Sequence, residues 1–512
     1  MSARHFDWLM HHAGARPTHA ALVDLESGRR STYASLNERV ARLAGHLRHE
    51  RRIRKSDRIA VLAHNCSQHF ELMFACARLG AIYLPLNWRL TIPELAYILR
   101  DAEPSLLAID EDCADKGQQL QREGCVAQLL SFGSQTPVAY DQIIESAEPL
   151  LDAERLSHDD VQMLMYTSGT TGFPKGAIIT FGMTFWNAVN VGIPAAISPN
   201  TRLLSVMPLF HTGGLNLFAN PVFHAGGTVF LMRAFDSAVM LAVLRDPALA
   251  ISHTFAVPSA YQMMAQHAAF ADAKFDHLKL ACVGGAATPV AVLNAWRERG
   301  VCLANGYGMT ETSPAVTLLL ADDAVRKSGS VGYPLLHTEI KVVNREGREC
   351  GTDEPGELWV RGPNVSPGYW RNVKATQEAF CDGWLKTGDV VRRDRDGFCY
   401  ILDRAKDMYI SGGENVYPAE VENVLSSLPE VAEAAVIGLP DERWGESGLA
   451  VIALRPGMRI EASQVLAFCA ERLAHFKLPR EIVFTDALPR TGTGKIHKPS
   501  LREQYRPGAH KC

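Results

Sequence analysis

The chain is 512 residues long with a formal net charge of −4, which is too long for one hydrophobic core and too balanced in charge to favour nucleic acid or anionic lipid as a partner. Hydrophobic residues make up 47% and charged residues 21%, an ordinary globular composition that argues against disorder, and no run reaches 18 uninterrupted apolar positions. Eleven cysteines without a C-x-x-C pair read as reduced thiols, and with no apolar signal region at the N-terminus the expectation is a cytoplasmic protein with no membrane span.

Residues 32–48 carry Leu36, Val40, Leu43 and Leu47 at helical spacing, which predicts an amphipathic helix. Apolar runs at 58–63, 81–86 and 105–109 read as buried strands, with a helix over 69–79 between the first two. The run 161–165 reads as a strand leading into Tyr166 to Gly176, Y-T-S-G-T-T-G-F-P-K-G. Its glycines let backbone N–H groups turn inward, its hydroxyls add donors and Lys175 adds a charge, so the loop suits an oligophosphate; a plain surface turn is the competing reading. It is not a Walker loop, because Gly176 rather than Ser or Thr follows the lysine.

Strands recur at 202–207, 228–231, 254–257, 279–283 and 301–304, predicting an α/β layered sheet whose ligand site lies beyond the carboxyl ends of the strands. Four turns there stand out. Pro208 to Gly214 sets His211 among small residues, in a role that is structural or functional with even weight. Gly284-Gly285-Ala286-Ala287 suits either a flat ligand or a tight packing turn. Asn305 to Thr312 offers Tyr307, Thr310 and Glu311 within one turn, and a carboxylate beside a phosphate site makes sense mainly as a Mg²⁺ ligand. Trp384 to Asp389 places an acid after a glycine turn, where it could accept hydrogen bonds from ribose hydroxyls.

From about Gly356, short β runs at 357–361 and 398–402 suggest a compact β subdomain. The charged pentad Asp403 to Asp407 is a candidate boundary, giving domains 1–403 and 404–512. The second reads as α+β: helices at 418–428 and 462–473, strands at 434–437, 449–454 and 481–485, and a second Gly/Thr loop ending on Lys495.

These motifs, in this order and over nearly the whole chain, resemble the adenylate-forming enzymes: acyl-CoA synthetases, adenylation domains of peptide synthetases and firefly luciferase. The chain looks most like bacterial medium- and long-chain fatty acyl-CoA synthetases, with hydroxycinnamate and polycyclic-acid ligases close behind. The resemblance implies a large N-terminal domain of layered α/β sheets with a β subdomain, and a small mobile α+β C-terminal domain. It implies that Thr167, Ser168, Gly169, Thr170, Thr171, Gly172 and Lys175 hold ATP phosphates, and that Gly284, Gly285 and Ala286 with Tyr307, Gly308 and Met309 line the nucleotide. Glu311 corresponds to the Mg²⁺ ligand, Thr310 to a phosphate contact, Asp389 and Arg404 to the ribose-binding pair, and Lys495 to the lysine bridging carboxylate and α-phosphate. Lys406 matches the hinge, and Ser411, Gly412, Gly413 and Glu414 match the loop lining the pantetheine tunnel for coenzyme A.

The expected acyl pocket comprises Trp186, Phe210, His211, Thr212, Gly213, Val257 and Gly306, with His211 also counted among the catalytic residues and Gly214 adding space. Amino-acid-activating relatives carry an aspartate at the position of His211 to pair with the substrate ammonium, so amino acids are disfavoured. Phe181 and Met183 replace a His and an Asn of many relatives, in a helix expected to border the acyl entrance. The expected activity is that of an ATP-dependent carboxylic acid:CoA ligase acting on a fatty, aryl or polycyclic acid. A free-standing adenylation enzyme loading a carrier protein, a luciferase-like oxygenase and a non-catalytic binder are the alternatives; oligomeric state is open, a homodimer included.

Overall fold

The computed structural model describes residues 3–132, 140–167, 174–286, 288–404, 407–411, 414–441, 444–473, 475–490 and 495–506. The helix expected at 32–48 forms at Tyr33–His49, because Thr32 caps it by accepting from the Ser35 N–H and because Leu36, Val40, Leu43 and Leu47 fall on one fully buried face. The next helix, Ser67–Leu79, is buried on nearly every side and stops at Gly80, whose φ of 65° suits a residue without Cβ. A helix buried all round belongs between layers. Its Phe70, Leu72 and Met73 share one core with Ile59 and Val61 from one sheet and Leu203 and Val229 from another.

The first of those sheets runs Leu129–Ser131, Leu106–Ile109, Arg58–Leu62, Ile82–Leu86, Val161–Thr167, Lys175–Thr180, parallel except for the last pair. The second has nine strands, with parallel neighbours Leu303–Gly308, Leu280–Gly284, His253–Ala256, Arg202–Ser205, Thr228–Leu231 and Ala20–Asp24 at its centre. Both therefore send carboxyl ends toward loops, as the α/β expectation requires.

A third, antiparallel sheet holds Glu339–Val343, Gly356–Arg361, Trp384–Arg393, Phe380–Cys381 and Cys399–Arg404. Here the turn expected at 384–389 is instead the first six residues of a ten-residue strand. Gly388, at φ 72°, makes a bulge in it, which is why the residues read as a turn. The fourth sheet combines Glu414–Val416, Tyr409–Ser411, Gly445–Leu454, Val431–Asp441 and Glu481–Thr485. Its central hairpin is longer than the strands expected at 434–437 and 449–454. Gly438 and Gly448, which continue the two strands beyond those bounds, leave room for Tyr409: a Cβ at either would run into that side chain. Among the described residues no helix is long and apolar enough to cross a membrane.

Candidate active site

The ends of adjacent strands meet through bare backbone. Gly284 pairs with Gly306, and a Cβ on Gly284 would stand 2.7 Å from the Gly306 carbonyl oxygen, so close strand approach already demands glycine there. Gly285 follows at φ 82°, and Gly285 and Ala286 are exposed at the strand end. The expected 305–312 turn is in fact the end of a strand, Leu303–Gly308, followed by a 3-10 turn, Thr310–Thr312.

Tyr307 and Asp389 come together across two sheets. The Tyr307 hydroxyl donates to Asp389 Oδ2 at 2.6 Å, and Asp389 is directly opposite Arg404 in the antiparallel ladder. The bulge at Gly388 is held by its N–H donating to Glu357 Oε1 at 2.9 Å, while the Asp389 N–H donates to Thr387 Oγ1 at 3.1 Å. The two residues expected from sequence to form the ribose pair are thus backbone neighbours in the ladder, next to a strand irregularity.

Glu311 occupies a second corner. It is 6% exposed, and its Oε1 accepts from the Tyr369 hydroxyl at 2.8 Å. Burial and the Glu311 carboxylate push the Tyr369 phenol well above its ordinary pKa, so it remains a donor. Above the Tyr369 ring, at 5.5 Å from its centre, lies the Lys175 ammonium. Lys175 pairs with Thr167 across the antiparallel ladder, so the two ends of the phosphate loop stand side by side. Ser168, Gly169, Thr170, Thr171 and Gly172 lie outside the described residues, as do Lys406, Gly412 and Gly413. A buried carboxylate steadied by a neutral hydroxyl, next to Thr310 and Thr312, offers the hard oxygen ligand that Mg²⁺ takes, and the residues fit that ion. Sequence reading passed over Tyr369; the signal available was Pro367-Gly368-Tyr369-Trp370, a turn dipeptide delivering two aromatics.

The acyl side is built differently. His211 precedes the short helix Thr212–Leu215, with its ring 4.6 Å from that of Phe210. Burial, followed by the nearby cations Lys495 and Arg89, lowers the His211 imidazole to about 4, so it is neutral at pH 7. Lys495, exposed and far away in sequence, lies near enough to His211 for its charge to act on the imidazole. Arg89, also missed, stacks over Trp88 and Phe210 at 4.8 and 5.8 Å; an arginine just past the end of strand Ile82–Leu86 was its signal. His211 Nε2 and Thr212 Oγ1 are buried without a hydrogen-bond partner.

Phe255 forms the wall that sequence reading lacked. Its ring lies 3.1 Å from where a Cβ on Gly213 would sit and 3.6 Å from one on Gly284. Val257 borders Gly285 at 3.8 Å by the same measure, and Gly306 backs onto Leu318. Gly214 needs correction: a Cβ there would run into the Pro208 carbonyl and stand 2.6 Å from that of Met207, so its smallness closes the loop instead of making acyl space. Trp186 lies with its ring 4.9 Å from His337. Phe181 and Met183 are both 1% exposed; Phe181 packs on His5 at 4.3 Å and the Met183 sulfur accepts from the Thr180 N–H, so these departures serve core and helix cap. In the small sheet Ser411 pairs with Glu414 across a tight hairpin.

Comparison with known proteins agrees with this layout. The profile of the AMP-binding enzyme family matches residues 9–370, and that of the AMP-binding enzyme C-terminal domain matches residues 420–495. A feruloyl-CoA synthase of an Amycolatopsis species is 40% identical over 498 residues, covering 97% of this chain and 98% of that protein. A long-chain-fatty-acid–CoA ligase of Mycobacterium tuberculosis is 35% identical over 515 residues, covering 98% and 99%. Among solved structures, o-succinylbenzoate CoA synthetase of Bacillus subtilis with its acyl-adenylate intermediate superposes with a TM-score of 0.88 at 33% identity, covering 98% of each chain. The same protein with ATP and a magnesium ion gives 0.87, covering 98% of this chain and 100% of that one.

Proposed function

Because this chain belongs to the AMP-binding enzyme family, we propose that it is an AMP-forming acid–thiol ligase that activates an apolar carboxylic acid with ATP and passes the acyl group to coenzyme A. The observation that carries this reading is that Tyr307 and Glu311, at the end of one strand and in the turn after it, are paired with Asp389 and Tyr369, while Lys495 lies near enough to His211 to act on its charge. In the first half-reaction a carboxylate oxygen bonds to the α-phosphorus of ATP and the bond to the β-phosphate breaks, releasing pyrophosphate. Two anions must meet, so the barrier falls only where cations and oriented donors are already in position. Lys495 supplies a charge at the acyl mouth and Lys175 another at the phosphate loop, while Asp389 and Tyr307 orient the nucleoside. A Mg²⁺ ion held by Glu311 would neutralise phosphate charge. In the second half-reaction the thiol sulfur of coenzyme A bonds to the acyl carbon and the bond to AMP breaks; the Ser411 to Glu414 hairpin is our candidate for guiding that thiol.

Both half-reactions need the same carbonyl, and we divide the chain at 403/404 so that rotation near Lys406 exchanges Lys495 for the hairpin. Coenzyme A, rather than a carrier protein, is the acceptor in this reading, since the relatives compared are CoA ligases. Fatty and aryl acids are both represented among them, and the neutral His211 offers no anion to a substrate ammonium. The two diffusible co-substrates put the reaction in the cytoplasm. Pyrophosphate release over a panel of carboxylic acids, with and without coenzyme A, tests the proposal. Apolar acids should release pyrophosphate and yield thioester only with coenzyme A, whereas efficient ATP–pyrophosphate exchange with a free amino acid overturns it.

A further inference from the structure

We propose that Tyr369 is a positioning residue with two separable tasks: its hydroxyl sets the orientation of the Glu311 carboxylate, and its ring sets the Lys175 ammonium at the base of the phosphate loop. The inference rests on the reading of Glu311 as the metal ligand and goes beyond it. Segment 366–370 is a strap between the two places where ATP's phosphates and their ion must be held. It grips the Glu311 turn through the Ser366 N–H, which donates to the Glu311 carbonyl at 2.7 Å, and through the Tyr369 hydroxyl. It grips the strand Lys175–Thr180 through Ser366 Oγ donating to the Ile178 carbonyl at 2.7 Å, the Ile178 N–H donating to the Gly368 carbonyl at 3.1 Å, and the Trp370 N–H donating to the Gly176 carbonyl at 2.8 Å.

The strap is itself fixed. Gly368 has φ 143°, and a Cβ there would stand 2.7 Å from Thr376 Oγ1, the atom that accepts from the Tyr369 N–H at 3.0 Å. With its backbone anchored on both sides, the Tyr369 side chain has little freedom, and what touches it is held in turn. A glutamate carries three rotatable bonds, and a hydroxyl donating to one carboxylate oxygen selects one arrangement before an ion arrives. The ring face offers Lys175 an attractive surface that does not compete with phosphate for its protons.

Tyr369→Phe removes the first task and keeps the second; Tyr369→Leu removes both. Binding of Mn²⁺ in the presence of a non-hydrolysable ATP analogue, followed by electron paramagnetic resonance, gives a readout independent of turnover, with Glu311→Gln as reference. For Tyr369→Phe we expect Mn²⁺ affinity about 10-fold weaker, the scale for losing an outer partner of a metal ligand, with an unchanged melting temperature and unchanged nucleotide affinity at saturating metal. Tyr369→Leu should in addition weaken nucleotide affinity at saturating metal. If Glu311→Gln weakens Mn²⁺ binding and Tyr369→Phe does not, the positioning role is overturned and the metal reading stands. If neither variant weakens it, the metal reading falls and the inference with it. A lowered melting temperature in Tyr369→Phe with Mn²⁺ affinity intact would make the contact merely structural and overturn the inference.

Discussion

The nucleotide side and the acyl side of the site solve opposite problems. On the nucleotide side polar side chains already have protein partners: Tyr307 with Asp389, Tyr369 with Glu311, Thr387 with the Leu358 carbonyl, and Glu357 with both the Gly388 N–H and the Trp359 indole. On the acyl side His211 Nε2 and Thr212 Oγ1 are buried with none, beside the rings of Phe210 and Phe255 and the bare backbone of Gly213. A buried polar atom without a partner costs about 1–3 kcal/mol; the nucleotide side carries some of that burden too, at Trp370 Nε1 and Thr288 Oγ1, but its carboxylates and phenols are paired. In the proposed reading the difference teaches that the constant substrate, ATP, would meet a pre-ordered polar frame, while the variable acid would meet an apolar wall with spare polar atoms that the acid itself can satisfy.

Lys495 breaks this division in the proposed reading, in which it acts where the two sides meet; its charge already reaches His211. Lys495→Ala should have the largest effect, about 10²- to 10³-fold in acyl-adenylate formation, the scale for losing one pre-placed group that stabilises transition-state charge. Pyrophosphate release measures it. Thioester formation from pre-made acyl-adenylate should survive, and an equal loss in both steps would mean that Lys495 serves only to dock the small domain.

Acid sharpens the comparison, since it reaches the acyl side through His211. Its folded pKa, about 4, lies below the 6.5 of an unfolded histidine, so between those values the unfolded chain binds more protons than the folded one. Stability is unaffected above pH 6.5, falls as pH drops through the window and stops falling from this cause below 4. At pH 5 the loss from His211 is about 2 kcal/mol. His5 and His69 are lowered by burial to the same value and add to the slope. The melting temperature should drop between pH 7.5 and 5.0 in the wild type and drop less in His211→Gln; identical drops would show that His211 is not held neutral by its surroundings.

Much of the site was legible because its chemistry is local in sequence. Thr167 and Lys175 bracket one loop, Tyr307 and Glu311 lie in one strand end and the turn after it, and the α/β alternation predicted that a ligand site would lie at the carboxyl ends of strands. Tyr369, Arg89 and Phe255 were not legible, because each matters through what a segment distant in sequence brings to it: Glu311, Phe210 and Gly213 respectively. Glycine misled where its reason was steric. Gly388 marks a bulge inside a strand and Gly214 accommodates two carbonyls, yet in sequence the first looks like a turn and the second like empty space.

Gly213 is the glycine that the proposed reading keeps in the acyl pocket, and it yields the smallest predicted effect. An added Cβ would stand 3.1 Å from Phe255 Cε1 and 3.8 Å from Cζ, tight enough that the ring must give by a few tenths of an ångström. Phe255 is only half-buried, so it can tilt, and Gly213→Ala should fold with little change in melting temperature. The tilt moves the ring toward the space the acyl group uses. A methyl-sized change in an apolar pocket discriminates between substrates by about 10-fold at the lower end of its range. Gly213→Ala should therefore lower kcat/KM for bulky aryl or long-chain acids by up to about that factor relative to short acids, and leave the KM for ATP unchanged, because the polar frame around Tyr307 and Glu311 does not lean on Phe255 through any of the hydrogen bonds described here. Steady-state kinetics with one short and one bulky acid decides it. Equal losses on both acids, or a raised KM for ATP, would show that the two sides of the site are mechanically coupled and that their separation is only apparent.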